Sequence, residues 1–273
     1  MLIIVILPKL FCHINFLLSY PSINTTIMHS NIYNTPNQDM SGVVVPFSNQ
    51  WKSIAILVSG GADSALLSYL ICNHIEKNKL NCSIEIISAI RCWKTRPWQR
   101  YNSIEVYGYL KNKFPEIHID RNETYIAPAF ELGQDKKLYT DEWGNLAPGD
   151  SVHLTSYAEY VCSKKKVPAV YNAVTKNPPE DAVPEGLAHR YNPRDGNITF
   201  RDGVVVIQPF KHLDKKQLYK IYEKNKIMDL FNITRSCEGE FKDLDHTNYE
   251  PHQEVPTCGE CFWCRERNWA IDV

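Results

Sequence analysis

The chain has 273 residues, of which 44% are hydrophobic and 22% charged, enough to bury a full core; this excludes a disordered or fibrous protein. A formal charge of -1 argues against a broad electrostatic affinity for nucleic acid, although a local basic patch does not show in that sum. The densest basic run, Lys164-Lys165-Lys166, reads first as the solvated C-terminal end of a helix, where cations are favoured.

Taken in chain order, residues 1–50 read as an extension or arm outside the catalytic fold. Two apolar runs, Met1 to Leu7 and Leu10 to Tyr20, are interrupted by Pro8, Lys9 and His13. Neither reaches the ~20 residues of a membrane span, and no basic start or small-residue cleavage site marks a secretory signal. Asn31 to Gln50 reads as a polar linker, with Met28 and Met40 as internal starts.

The next segment carries the chemistry. Ile54 to Val58 is an apolar, largely β-branched run that predicts a buried strand, and it leads directly into Ser59-Gly60-Gly61-Ala62-Asp63-Ser64. Adjacent glycines let successive N–H groups turn into one concavity, and Ser59 and Ser64 add hydroxyl donors. Apolar residues at 66, 67, 70 and 71 then predict a helix whose N-terminal end faces the same anion. The spacing is not Gly-x4-Gly-Lys-Ser/Thr, so the loop is not that of the kinases and GTPases. A plain turn between core strand and core helix is the bland alternative.

Downstream, strand and helix patterns alternate: a strand over 84–90, a helix over 104–111, a short strand over 116–120, a helix over 151–162 and a strand over 168–173. Val204 to Ile207 is a further β-branched run. Asp214, with Gln217 three residues later, predicts a capping box for a helix through Leu218, Ile221 and Tyr222. Such alternation implies parallel crossovers, hence an α/β fold with a doubly wound, mostly parallel sheet. Ligands bind such sheets at the carboxyl ends of the strands, where residues 59–64, Ala89, Arg91 and Asn172 would gather.

At the far end, Cys258, Cys261 and Cys264 stand at two-residue gaps, and Cys237 lies twenty residues before them. Four thiolates suit tetrahedral zinc, and Gly259 frees the first turn between them. A disulfide framework or a redox pair is the alternative, and His246 or His252 could replace one thiolate. Cys12, Cys72, Cys82, Cys92 and Cys162 lack such spacing and read mostly as small buried apolar residues.

Together, the Ser-Gly-Gly-x-Asp-Ser loop and the cysteine cluster resemble the 7-cyano-7-deazaguanine synthases of queuosine-precursor synthesis, which belong to the ATP pyrophosphatases with this loop. The resemblance runs over roughly residues 52–269 and includes Gln99-Arg100, Ala147-Pro148-Gly149-Asp150 and Gln208 to Gln217. It implies an adenine-nucleotide α-hydrolase-like domain over 51–235 and a zinc-binding C-terminal lobe over 236–273. It also implies ATP with Mg2+ at Ser59, Gly60, Gly61, Ala62, Asp63, Ser64 and Ala89, and zinc on Cys237, Cys258, Cys261 and Cys264. Ser59, Asp63 and Ser64 would serve catalysis. Arg91, Lys211 and Lys215 are candidate phosphate partners, each with a reading as a solvated cation.

The implied reaction activates a carboxylate, that of 7-carboxy-7-deazaguanine or a relative, and converts it with ammonia to an amide and then a nitrile, releasing AMP and pyrophosphate. ATP and a reduced thiolate centre imply a cytoplasmic or equivalent reducing compartment, and a homodimer is left open. Departures bear on the substrate: Pro-Gly-Asp-Ser stands where the family has Pro-Gly-Arg-Asn, the gap after Cys237 is longer, and a polar stretch follows Asn177. A tRNA thiolase, an amidotransferase with the same loop, a zinc-ribbon binding module and a homologue that modifies a protein or nucleic-acid target are the rivals.

Overall fold

A computed structural model describes residues 43, 45–90, 98–125, 150–179, 182, 198–199, 203–237 and 257–271. Strand β1 (Ser53–Leu57) forms because its alternate side chains can be buried on both sides. Ile54 and Ile56 enter one core, and Ala55 and Leu57 enter another. Its neighbours are β2 (Ser83–Ile90) and β4 (Ala169–Tyr171), both parallel to it. The whole sheet has the order β3-β2-β1-β4-β6-β5, with β3 (Ile119–Tyr125) at one edge. Strand β6 (Val205–Ile207) runs parallel to β4, and among the described strands only β5 (Ile198–Thr199) is antiparallel.

Three helices make the crossovers. Helix α1 (Ala62–Lys77) and helix α2 (Gln99–Lys113) cover the face that holds Ile54, Ile84 and Ile86, with Leu66, Leu70, Val106 and Leu110 packed against it. Helix α3 (Asp150–Lys165) covers the other face through Ala158, Val161 and Cys162. The sheet is therefore doubly wound, as the alternation predicts. Chain order moves outward from β1 to β2 and β3, then returns to β4 on the other side of β1, so the direction of winding reverses between β1 and β4. That reversal opens a crevice at the carboxyl end of β1, directly above residues 59–64.

After β6 come α4 (Lys215–Asn225), α5 (Met228–Asn232) and α6 (Phe262–Ile271). The start of α4 is the predicted capping box: Asp214 accepts from Gln217 N at 2.9 Å, and Gln217 Oε1 accepts from Asp214 N at 3.0 Å. Such a cap is worth about 1 kcal/mol, and it places Lys215 on the first helical turn.

Four expectations change. Helix α2 starts at Gln99 rather than residue 104, and β3 starts at Ile119 rather than residue 116, because Ile117 and Phe114 are used to close the turn between them. Helices α5 and α6 have no counterpart in the sequence reading. The fourth change is at the N-terminal edge of the domain: Val43, Val45 and Phe47 are buried in the same core as Ile54 and Leu66. Phe47 lies against His74 with ring centroids 4.8 Å apart, and the Tyr171 hydroxyl donates to Pro46 O at 2.6 Å. An edge at residue 50 is thus too late, since these side chains complete the packing around α1. Among the described residues no helix is long and apolar enough to cross a membrane.

Candidate functional site

The loop after β1 takes its shape from two glycines with different tasks. Gly60 has φ +79, a region open to glycine, and a Cβ there would stand 2.8 Å from Ser103 N and 2.9 Å from Asn102 Cβ. The loop backbone therefore lies hard against the first turn of α2. Gly61 is extended and stands at the N-cap of α1, where no side chain caps the helix. A helix start left in this way presents N–H donors and the positive end of its dipole to any anion in the crevice.

Serines frame the loop from both ends. Ser64 Oγ accepts from Ser59 N at 3.2 Å and donates to Gly61 O at 3.1 Å, while Gly61 N donates to Ser59 Oγ at 3.4 Å. Ala62 O accepts the Tyr222 hydroxyl at 2.5 Å, which ties the loop to α4. Burial, reinforced by the charge of Asp63, raises the Tyr222 phenol well above its ordinary range and so keeps this donor protonated.

Asp63 sits on the first turn of α1 and pairs with Lys215 through Oδ2. Its other oxygen, Oδ1, is buried with no hydrogen-bond partner among the described residues. A buried carboxylate oxygen in that state is costly unless a cation or donor meets it. A magnesium ion carried by phosphate fits that need, because Mg2+ is usually held by one or two carboxylates together with substrate oxygens.

Two clefts open on the loop. The larger, about 240 Å³, lies at the carboxyl ends of β1, β2 and β4, and its walls include Val58, Ala89, Leu154, Asn172 and Val174. The smaller, about 110 Å³, lies on the other side, walled by Trp98, Lys215, Arg235, Ser236 and Trp263. Ser59, Asp63 and Gln99 line both. Of the residues singled out in the sequence, Ser59, Gly61, Asp63, Ser64, Ala89 and Lys215 meet here, while Lys211 lines neither cleft and Arg91 lies outside the described residues.

The smaller cleft reaches the cysteines. Cys237, Cys258, Cys261 and Cys264 present sulfurs that all lie within 4.8 Å of one another. The Cys237–Cys258 and Cys258–Cys264 separations are 3.5 and 3.9 Å. Zinc–sulfur bonds of about 2.3 Å in a tetrahedron put neighbouring sulfurs about 3.8 Å apart, so the four residues fit a single ion. Backbone N–H groups of Cys258, Cys261 and Cys264 each donate to a cysteine sulfur at 3.4 Å, so the turns themselves orient the sulfurs. Gly259, at φ +74, makes the turn between the first two of these. His246 and His252 lie outside the described residues.

Short backbone and side-chain bonds join this centre to the loop. Arg235 N donates to Gly60 O at 3.0 Å, and Asn102 Nδ2 donates to Ile233 O at 2.8 Å. Arg267, on α6, donates to Thr234 Oγ1 and Phe231 O at 3.0 Å each and stacks 3.9 Å over the Phe231 ring. Sequence reasoning missed Trp98, Arg235, Ser236 and Trp263. The signal for the last three was their position next to predicted metal ligands, since a ligand anchors its chain neighbours too.

No family model and no curated protein matches the sequence. In fold the chain is similar to a solved structure of the U34-tRNA thiolase NcsA from Methanococcus maripaludis with its [4Fe-4S] cluster, at 13% identity and a TM-score of 0.40. The match covers 64% of this chain and 56% of that one, so the chain spans a little over half of that protein's length.

Proposed function

We propose that the chain is an ATP pyrophosphatase-type ligase that activates the carboxylate of a 7-deazapurine, 7-carboxy-7-deazaguanine or a relative, and converts it with ammonia to the amide and then the nitrile. The observation that carries this reading is the uncapped start of α1 at the winding reversal, with the orphan oxygen of Asp63 beside it. A phosphate loop needs both features: donors for the anion and a carboxylate for its metal.

In this reading the larger, mainly apolar cleft holds the nucleoside, and residues 60–64 hold the leaving pyrophosphate. Lys215 and the loop N–H groups take up charge that develops on the bridging oxygen, and Asp63 is the residue that would hold Mg2+, which would supply charge neutralisation for the phosphates. The substrate carboxylate oxygen attacks the α phosphorus, the bond from that phosphorus to the bridging oxygen breaks, and pyrophosphate leaves. Ammonia then attacks the acyl carbon, AMP departs with the bonding pair, and a proton passes to solvent. A second transfer of AMP to the amide oxygen lets the amide lose AMP and two protons to give the nitrile. The protein's part is alignment of two substrates across Ser59, Asp63 and Gln99.

The cysteine centre has a structural role in this proposal. Four thiolates around zinc leave no position for water or substrate, and they hold residues 235–237 against the loop. A four-iron cluster fits less well, because each of its thiolates sits on a different iron and the sulfurs stand farther apart. The remaining described thiols, Cys72, Cys82 and Cys162, are buried, with burial raising Cys82 to about 11 and Cys162 to about 12, so they are poor nucleophiles.

The test is incubation with ATP, ammonia and 7-carboxy-7-deazaguanine, followed by nucleotide chromatography and mass analysis of the product. AMP with pyrophosphate and a product carrying nitrogen in place of the carboxylate oxygens are expected. ADP as the sole nucleotide product would rule the mechanism out, and AMP formed with some other acceptor only would move the substrate.

A further inference from the structure

We propose that Arg267 is a positioning residue that couples the cysteine centre to the phosphate loop, so that filling either site strengthens binding at the other; this rests on the reading of residues 59–64 as a nucleotide site. Helix α6 carries the near end of the link. Cys264 and Arg267 stand about one turn apart on it, so the stretch of helix that supplies a sulfur also supplies a guanidinium. That guanidinium grips the turn after α5. Arg267 donates to Thr234 Oγ1 and to Phe231 O at 3.0 Å each, and its carbon Cζ lies 3.9 Å from the centre of the Phe231 ring. A planar guanidinium serves both ends of this grip, with its edge for the oxygens and its face for the ring. The turn is also closed on itself, since Thr234 Oγ1 donates to Phe231 O at 2.6 Å.

Two routes lead from this turn to the loop. Arg235, next to Thr234, donates its N–H to Gly60 O at 3.0 Å. The Phe231 ring stands edge-on to Tyr222 with centroids 5.2 Å apart, and the Tyr222 hydroxyl donates to Ala62 O at 2.5 Å. Each peptide unit is planar, so a carbonyl held at residue 60 fixes the N–H of Gly61, and one held at residue 62 fixes the N–H of Asp63. These are donors at the start of α1, where an anion would be met. The Arg267 charge also acts on Asp63 from one side and on Cys264 from the other.

The experiment measures the coupling from the metal side. Zinc affinity of the full chain is determined by competition with a chromophoric chelator, with and without a saturating α,β-methylene analogue of ATP and Mg2+. The unaltered chain is expected to hold zinc about tenfold tighter with the analogue bound, within the usual range for coupled sites. Arg267→Gln is expected to bind both ligands and to lose that tenfold difference, which a merely structural role would leave in place. Thr234→Val, which keeps the Arg267 charge and removes one of its acceptors, carries the same test should Arg267→Gln fail to fold. No difference in the unaltered chain overturns the proposal, as does a full difference in the folded variant. A chain that binds no analogue overturns it together with the nucleotide reading. Coupling as expected, with no AMP formed from ATP and 7-carboxy-7-deazaguanine, leaves the role of Arg267 standing and ends the proposed reaction.

Discussion

Around β1 and α1 the chain is held by side chains that mostly touch one another: Ile54, Ile56, Leu66, Leu67, Leu70 and Ile71 are fully buried in one continuous core. Around the cysteines the supply among the described residues is far smaller, with Trp98, Cys237 and Cys264 buried together and Cys258 and Cys261 beside them. The first region reaches its shape by burying apolar surface, at about 25 cal/mol per Å². The second, among the described residues, buries less, and its four sulfurs converge within 4.8 Å of one another. The loop of residues 59–64 lies on the seam, with its start in the packed region and Gly60 O bonded to the segment that leads into the other. Site geometry thus depends on both regions.

The largest effect is expected from Cys261→Ser. Structural zinc sites contribute about 10–16 kcal/mol in small peptides, and loss of one of four thiolates forfeits much of that. Zinc content should fall, and amide exchange should rise across 233–237 and 257–271 while residues 54–71 keep their protection. Full zinc occupancy by elemental analysis would refute the ligand set. Exchange rising equally in the sheet would erase the contrast between the regions.

A chain beginning at Gln50 tests the other side of the contrast. It lacks Val43, Val45 and Phe47, whose burial is worth about 1.5–3 kcal/mol each, an upper bound for a denatured chain that is itself partly compact. Set against a typical net stability of about 5–15 kcal/mol, that loss should lower the melting temperature sharply. An unchanged melting curve would show that α1 and β4 pack without the arm.

Gly60→Ala addresses the seam itself and should have the smallest effect on stability, about 2–4 kcal/mol, from a left-handed backbone and a contact with Ser103 N that must give way. Zinc should stay bound while AMP formation falls by much more than the stability change explains. A variant with normal turnover would mean that the loop does not need its close approach to α2.

What could be read in the sequence is what depends on local pattern. The strand at Ile54, the glycine loop, the capping box of Asp214 and Gln217, and the spacing of Cys258, Cys261 and Cys264 all follow from neighbours a few residues apart, where backbone conformation and ligand bite are decided. The ion pair of Asp63 with Lys215, the stacking of Arg235 on Trp98 and the burial of Phe47 beside His74 join residues far apart in the chain, and no periodicity encodes them. Helix α6 was missed for a related reason. Phe262, Cys264, Glu266 and Ala270 are its buried residues, but two of these do not register as apolar signals of a helix, because one is a cysteine of the four-sulfur cluster and the other a buried carboxylate. The sequence by itself determined which chemistry the chain can carry. The order of the strands decided where that chemistry meets, by reversing the winding between β1 and β4 and bringing the cysteine lobe against the loop.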